Sequence, residues 1–179
     1  NTYSADVSAQ NCTACAEGRT SNEGQALCSA CGAGRFVDAD DICQPCASGF
    51  FSDQPNSIGC KRCASGEESQ EGAPVCSKCD LGMYGGTSQQ HQQEEGQCSS
   101  CPAGTFQDGK GELTCKACPI DTWIDVEGAT SNAECLRCAE DRTTGNLTGA
   151  SKSTSCLCIA GEYYKSPDGT CVQCPAGAD

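Results

Sequence analysis

Residues 98–118 read CSSCPAGTFQDGKGELTCKAC, and this stretch contains the unit that decides the fold. Two Cys-x-x-Cys pairs flank a segment with a glycine three residues after the first pair and an aromatic residue two positions further on. The glycine permits a turn with positive φ, and the aromatic ring can lie across a neighbouring disulfide. The stretch therefore predicts a short, irregular β-hairpin with its own small core.

The same unit recurs along most of the chain. The cysteines form ten close pairs, nine Cys-x-x-Cys and one Cys-x-Cys, and 11 to 18 residues separate consecutive pairs. The turn pattern recurs as CGAGRF from Cys31, CASGFF from Cys46, CDLGMY from Cys79 and CIAGEY from Cys158, and Asp121 replaces the glycine before Trp123. We expect a small disulfide-rich fold of tandem irregular β-hairpin repeats with little regular secondary structure. Each repeat should contact only its neighbours, and the repeats should stack into an elongated rod.

The composition is poor in core-forming hydrophobic residues and rich in cysteine. Leu, Ile, Val and Phe together account for 20 of 179 residues, and the formal net charge is -13, which would ordinarily predict disorder. The 20 cysteines instead indicate a disulfide scaffold in an oxidising compartment. A membrane span in this segment and an ordinary catalytic fold are disfavoured. With 11 basic against 24 acidic residues, nucleic acid is disfavoured as a partner.

Three states of the cysteines compete. Paired Cys-x-x-Cys motifs overlap the spacing of four-cysteine zinc sites, but such centres would add negative charge to an already acidic chain. Redox centres of the thioredoxin type need a βαβ context that the sequence does not show. We therefore expect no metal and no cofactor. All 20 cysteines are predicted to form disulfides, namely Cys12, Cys15, Cys28, Cys31, Cys43, Cys46, Cys60, Cys63, Cys76, Cys79, Cys98, Cys101, Cys115, Cys118, Cys135, Cys138, Cys156, Cys158, Cys171 and Cys174.

Two connectivities are sterically sensible. An interleaved pattern joins Cys12 to Cys28 and Cys15 to Cys31 and continues through modules of four cysteines with none left over. A sequential pattern joins Cys15 to Cys28 and continues to the Cys158–Cys171 pair, leaving Cys12 and Cys174 for partners outside the segment. The even count favours the interleaved pattern slightly, whereas the EGF-like look of CLCIAGEYYKSPDGTC favours the sequential one.

The stretches CPAGTFQDGKGELTCKACP and CLCIAGEYYKSPDGTCVQCPAG resemble ephrin-receptor-like cysteine-rich repeats. The same pattern is similar to tumour necrosis factor receptor modules and to the cysteine-rich surface antigens of protists. These resemblances imply a secreted or cell-surface location and no catalysis. We divide the chain into an N-terminal segment at 1–11, shorter and more regular repeats at 12–97 that end in a polar Gln-rich loop, and ephrin-receptor-like repeats at 98–179.

Candidate sites outside the cysteines are few. Asn146 and Asn11 begin N-glycosylation sequons, and Asn146 is favoured because it lies in an open Ser/Thr-rich interval. An acidic cluster of Asp38, Asp40 and Asp41 could offer oxygens to calcium, but a solvated turn is the better interpretation. His91 lies alone in the polar loop and has no candidate catalytic partner.

The sequence as a whole favours a non-enzymatic extracellular or cell-surface glycoprotein that acts as a structural rod or coat. Self-association into a filament or surface layer, contacts with neighbouring surface proteins and attached glycans belong to this interpretation. The alternative is a receptor ectodomain that binds a protein ligand through an exposed aromatic or Arg-rich surface. Because the chain starts at Asn1 without a signal-like segment, we expect it to be a processed or excised part of a longer protein.

Overall fold

The computed structural model describes residues 2–4, 12–21, 26–86 and 96–175. Two compact units follow from the contacts within the chain. The first unit contains Asn1–Cys79 and Gly85–Cys98, and the second contains Asp80–Tyr84 and Ser99–Asp179. Asn11, His91 and the rest of the Gln-rich loop lie outside the described residues.

The described residues form a series of antiparallel two-stranded hairpins, which confirms the predicted disulfide-rich hairpin-repeat fold. The strand pairs are β1 (Thr2–Tyr3) with β2 (Thr13–Ala14), β3 (Arg19–Thr20) with β4 (Ser29–Ala30), β5 (Arg35–Val37) with β6 (Cys43–Pro45), β7 (Phe50–Phe51) with β8 (Lys61–Arg62), β9 (Glu67–Glu68) with β10 (Ser77–Lys78), β11 (Met83–Tyr84) with β12 (Ser99–Ser100), β13 (Thr105–Phe106) with β14 (Lys116–Ala117), β15 (Thr122–Trp123) with β16 (Leu136–Arg137), β17 (Arg142–Thr143) with β18 (Leu157–Cys158), and β19 (Tyr163–Lys165) with β20 (Cys171–Gln173). Single 3-10 turns at Asn132–Glu134 and Ser153–Ser155 are the helical elements among the described residues.

The hairpin built from β13 and β14 shows how the motif becomes structure. The first strand begins directly after Gly104, and the second strand consists of the two residues between Cys115 and Cys118. Phe106 pairs with Lys116, and the Cys118 N–H donates a hydrogen bond to the Gly104 carbonyl at 2.9 Å. Each Cys-x-x-Cys motif thus supplies the returning strand of one hairpin.

The first hairpin uses residues that the sequence division had set apart. Thr2 of β1 pairs with Ala14 of β2, and Tyr3 pairs with Thr13. The first strand of this hairpin therefore comes from the segment 1–11, which is not separate from the repeats at this point.

The disulfides follow the sequential pattern, so the slight preference for the interleaved pattern was wrong. The bonds are Cys15–Cys28, Cys31–Cys43, Cys46–Cys60, Cys63–Cys76, Cys79–Cys98, Cys101–Cys115, Cys118–Cys135, Cys138–Cys156 and Cys158–Cys171, with Cα–Cα distances of 5.5 to 5.9 Å. The physical reason is strand alternation. In the Cys-x-x-Cys pairs, cysteines three positions apart on an extended strand point to opposite faces, so one closes the hairpin behind it and the other opens the next. Cys156 and Cys158 are two positions apart and follow the same connectivity.

Backbone contacts join successive hairpins within each unit. In the first unit, Gly34 donates its N–H to the Ser52 carbonyl of the next hairpin at 2.7 Å. In the second unit, Gly104 does the same to Ile124 at 2.8 Å, and Phe106 forms a parallel bridge with Ala129. These bonds satisfy polar groups that a two-residue strand leaves unpaired.

Some hairpins also contact the hairpin that lies two places further along the chain, so the prediction that only neighbouring repeats touch was wrong. A methyl group on Gly34 would overlap the backbone of Gly72, and one on Gly104 would overlap that of Gly149. Each of these contacts skips the intervening hairpin. The glycine of the motif is therefore required by close packing as well as by its positive φ of 82° at Gly34 and 87° at Gly104.

The buried cores are small and contain sulfur. In the second unit Phe106, Ile124 and Ala129 form a buried cluster with the cysteines Cys118 and Cys135. Phe106 is thus packed against the Cys118–Cys135 disulfide of the following hairpin, in agreement with the prediction that the ring lies across a neighbouring disulfide. The aromatic residues at the equivalent position of the other hairpins, among them Phe36 and Trp123, are only half-buried. The prediction that every repeat has its own buried aromatic core was therefore wrong.

Candidate functional site

Cys12 and Cys174 are the two cysteines that form no disulfide among the described residues, so the prediction that all 20 cysteines are bridged does not hold within the chain for these two. Cys12 is exposed and Cys174 is half-buried. Every disulfide present joins the second cysteine of one pair to the first cysteine of the next. By that rule Cys12 requires a second cysteine as its partner, and Cys174 requires a first cysteine.

The favoured sequon lies on an exposed turn. The Leu147 N–H donates to the Thr144 carbonyl at 3.2 Å, and Asn146 lies inside this turn with its side chain exposed. Thr148, the third residue of the sequon, is also exposed. Glycosylation at Asn146 stays a prediction, and the turn gives the acceptor amide an open approach.

The acidic cluster at Asp38 is organised as a turn. Asp38 Oδ1 accepts hydrogen bonds from the backbone N–H groups of Asp40 and Ile42 at 3.0 and 2.9 Å. Its Oδ2 accepts one from Gln44 Nε2 at 3.0 Å. The Ile42 N–H contributes most, followed by Gln44, to lowering the pKa of Asp38 below its usual value. Both oxygens therefore serve the turn, in agreement with the interpretation of a solvated acidic loop.

Acid–base pairs recur at the same place in different hairpins. Asp53 accepts a hydrogen bond from Lys61 at 2.7 Å, and Asp108 accepts one from Lys116 eight residues later. The hydrogen bond from the lysine is the main cause of the lowered pKa of each aspartate. These pairs are exposed, so each adds little stability.

A row of shallow depressions crosses consecutive hairpins of the second unit. The first, of about 480 Å³, lies beside Ile120 and Arg137. The next, of about 340 Å³, shares Arg137 and adds Trp123 and Arg142. The third, of about 450 Å³, shares Arg142 and adds Tyr163. Sequence reasoning missed this groove because its lining comes from several hairpins, and no single motif contains the residues together.

Two further findings concern the described residues. They contain no helix that is long and apolar enough to cross a membrane. Within the same ranges, no three or more His, Cys, Asp or Glu side chains are grouped so that they could hold a metal ion.

Comparison with known proteins gives one family. The sequence model of the family described as tyrosine-protein kinase ephrin type A/B receptor-like matches residues 86–135. No curated protein sequence matches the chain. The matched range begins upstream of Cys98 and includes the hairpin built from β13 and β14, which lies after Cys98, where the resemblance to these repeats is clearest in the sequence. Together with the nine disulfides, the match supports a cysteine-rich ephrin-receptor-like module at residues 86–135 and points to an extracellular location.

Proposed function

We propose that the chain is a non-enzymatic structural component of a cell surface or extracellular layer. Its hairpins are closed by disulfides and joined to their neighbours by backbone hydrogen bonds, so mechanical cohesion does not depend on a large core. The observation that carries the proposal is the repeated second-to-first disulfide rule. A chain with a disulfide in each described hairpin after the first resists unfolding and proteolysis outside the cell.

Self-association follows from the same rule. A bond from Cys174 to Cys12 of a neighbouring copy would repeat the connectivity of the nine internal disulfides. Oxidation of the two thiols requires a disulfide-type oxidant, which an oxidising extracellular route supplies. The same chemistry would serve a bond to a further repeat of one long protein, and both arrangements produce an extended stapled array.

Electron microscopy of the native material, together with electrophoresis with and without reductant, tests this proposal. We expect filaments or a dense layer, and disulfide-linked multimers that a Cys12→Ser or Cys174→Ser variant no longer forms. A matched Ser77→Ala variant, at an exposed hairpin position, should leave the multimers unchanged. Native material that consists only of isolated monomers would contradict the structural role and favour the alternative, a receptor ectodomain.

Surface glycans are part of the proposal. The exposed turn at Asn146 supports an N-linked sugar on the second unit. Digestion with an N-glycosidase should lower the apparent mass of the secreted chain, and an Asn146→Gln variant should remove the shift that belongs to this site. An unchanged shift would show that the sugar lies elsewhere.

A further inference from the structure

The three depressions in the second unit adjoin one another, and together they are called the groove below. Adjacent depressions have lining residues in common, Arg137 and Cys138 at the first junction and Arg142, Thr154 and Cys156 at the second. Each depression is built mainly by a different hairpin, so the groove follows the order of the chain. Its repeated form suits an extended ligand that crosses several hairpins.

The groove concentrates positive charge in an acidic chain. Arg137, Arg142 and Lys165 line it, whereas Asp121 is the one carboxylate among its lining residues in the described part of the chain. Asp121 Oδ1 is already engaged by the Thr143 hydroxyl at 2.6 Å and by the Thr144 N–H at 3.0 Å. The lining is therefore cationic on a molecule with a net charge of -13.

The two arginines differ in their surroundings. Arg142 donates hydrogen bonds to the Cys156 and Gly169 carbonyls at 3.2 and 2.9 Å, which fixes its guanidinium between hairpins. Arg137 is exposed at the junction of two depressions. Its backbone pairs with Thr122 in the hairpin, but its side chain forms no hydrogen bond or ion pair with any residue that the structure describes. Its charge is thus available to a ligand.

Apolar and aromatic side chains complete the lining. Trp123 and Tyr163 are half-buried, while Ile120 and Leu157 are 51% and 66% exposed. Tyr, Trp and Arg are the residues most enriched where binding energy concentrates in protein interfaces. The receptor alternative requires a surface of this kind.

We propose that this groove binds an extended acidic polypeptide segment of a partner protein. Carboxylates of the segment would meet Arg137, Arg142 and Lys165, and its apolar side chains would enter the depressions between them. Charge complementarity favours an acidic ligand. A polypeptide fits better than a sulfated glycan because the cations are separated by apolar surface, and because the chain's net negative charge repels a densely charged polymer. This inference is independent of the structural role proposed above.

A binding titration with two synthetic peptides tests the proposal. The probe is a fluorescent peptide of four Asp-Leu-Gly triplets, and its control has Asn in place of every Asp. We expect the acidic peptide to bind the intact, oxidised chain, with an affinity that falls as salt is added. The Asn peptide should bind at least about tenfold more weakly, as expected for the loss of charge pairing.

Arg137→Glu should weaken binding of the acidic peptide by about tenfold or more, because it reverses a charge at the centre of the groove. Lys78→Glu is the matched control. Lys78 is exposed and occupies the same position of a Cys-x-x-Cys motif in the first unit, so its variant should retain binding. Unchanged mobility on non-reducing electrophoresis checks that both variants keep their disulfides.

Three results would overturn the proposal. The first is equal binding of the two peptides, or no binding of the acidic one. The second is an equal loss in the Arg137→Glu and Lys78→Glu variants, which would indicate a general charge effect. The third is binding of a sulfated oligosaccharide, or of a second copy, that depends on Arg137 while the acidic peptide fails to compete.

Discussion

At the scale of single residues, the motif glycine satisfies two separate requirements. Gly34 has a φ of 82°, a conformation that costs little only for glycine. It also lies against the backbone of Gly72, two hairpins further along the chain. The need for a positive φ can be predicted from the sequence, because the turn motif follows the second cysteine of a pair. The second depends on how hairpins stack, and no local pattern encodes it.

Gly34→Ala should therefore destabilise the first unit, by at least about 1 kcal/mol from the backbone conformation alone. Gly32→Ala is the control in the same CGAG turn, since a methyl group at Gly32 would meet nothing within 4 Å. Urea unfolding with the disulfides intact measures both. Equal midpoints for the two variants would show that the close approach to Gly72 is absent.

The Asp168 turn provides a pH-dependent test. The pKa of the Asp168 carboxyl is lowered from 3.8 to about 2. The hydrogen bond from the Ser166 hydroxyl is the main cause, and hydrogen bonds from the Thr170 hydroxyl and N–H add to it. Because the folded carboxyl has the lower pKa, its contribution to stability is present above about pH 4 and is lost as the pH falls toward 2. Ser166→Ala should raise this pKa toward 3.8, whereas Ser77→Ala in the other unit should not. An NMR titration of the Asp168 carboxyl measures the shift, and an unchanged midpoint would contradict the hydrogen bond.

At the scale of the hairpin, sequence reasoning predicted the elements well and their connection poorly. Cysteine spacing, glycine and the aromatic residue predicted tandem hairpins, which the structure confirms. The even cysteine count favoured the wrong pairing, because a count carries no information about the direction in which a side chain points. Strand alternation supplies that direction, since Cys43 and Cys46 lie on opposite faces of one extended segment. The groove at Arg137 was not predictable for a related reason: its walls belong to different hairpins.

Disulfides with buried cysteines should contribute more to the free energy of unfolding than disulfides with half-buried cysteines. Replacing Cys118 and Cys135 together by alanine should cost about 3 kcal/mol from loop closure, with a further cost because Cys118 is buried beside Phe106. Replacing Cys158 and Cys171 is the control, since this bond closes a similar loop with half-buried cysteines. Hydrogen exchange should increase more around Ile124 in the first variant than around β19 in the second. A larger effect in the control would contradict the sulfur-containing core.

At the scale of the whole molecule, sulfur and backbone bonds replace buried hydrocarbon. Twelve large aliphatic residues are exposed among those described, including Leu27 at 68% and Ile58 at 64%, so they contribute little to a core. A loop of about 15 residues closed by a disulfide contributes on the order of 3 kcal/mol, and each described hairpin after the first has one such bond. The elongated rod stays a prediction, as do the coat and the filament.

Peptide mapping of the non-reduced protein by mass spectrometry tests the central claim most directly. The account predicts the nine sequential bonds, from Cys15–Cys28 to Cys158–Cys171, with Cys12 and Cys174 outside this set. Interleaved bonds such as Cys12–Cys28 with Cys15–Cys31 would contradict it, and so would reduced thiols or bound metal ions at the cysteines of these nine bonds.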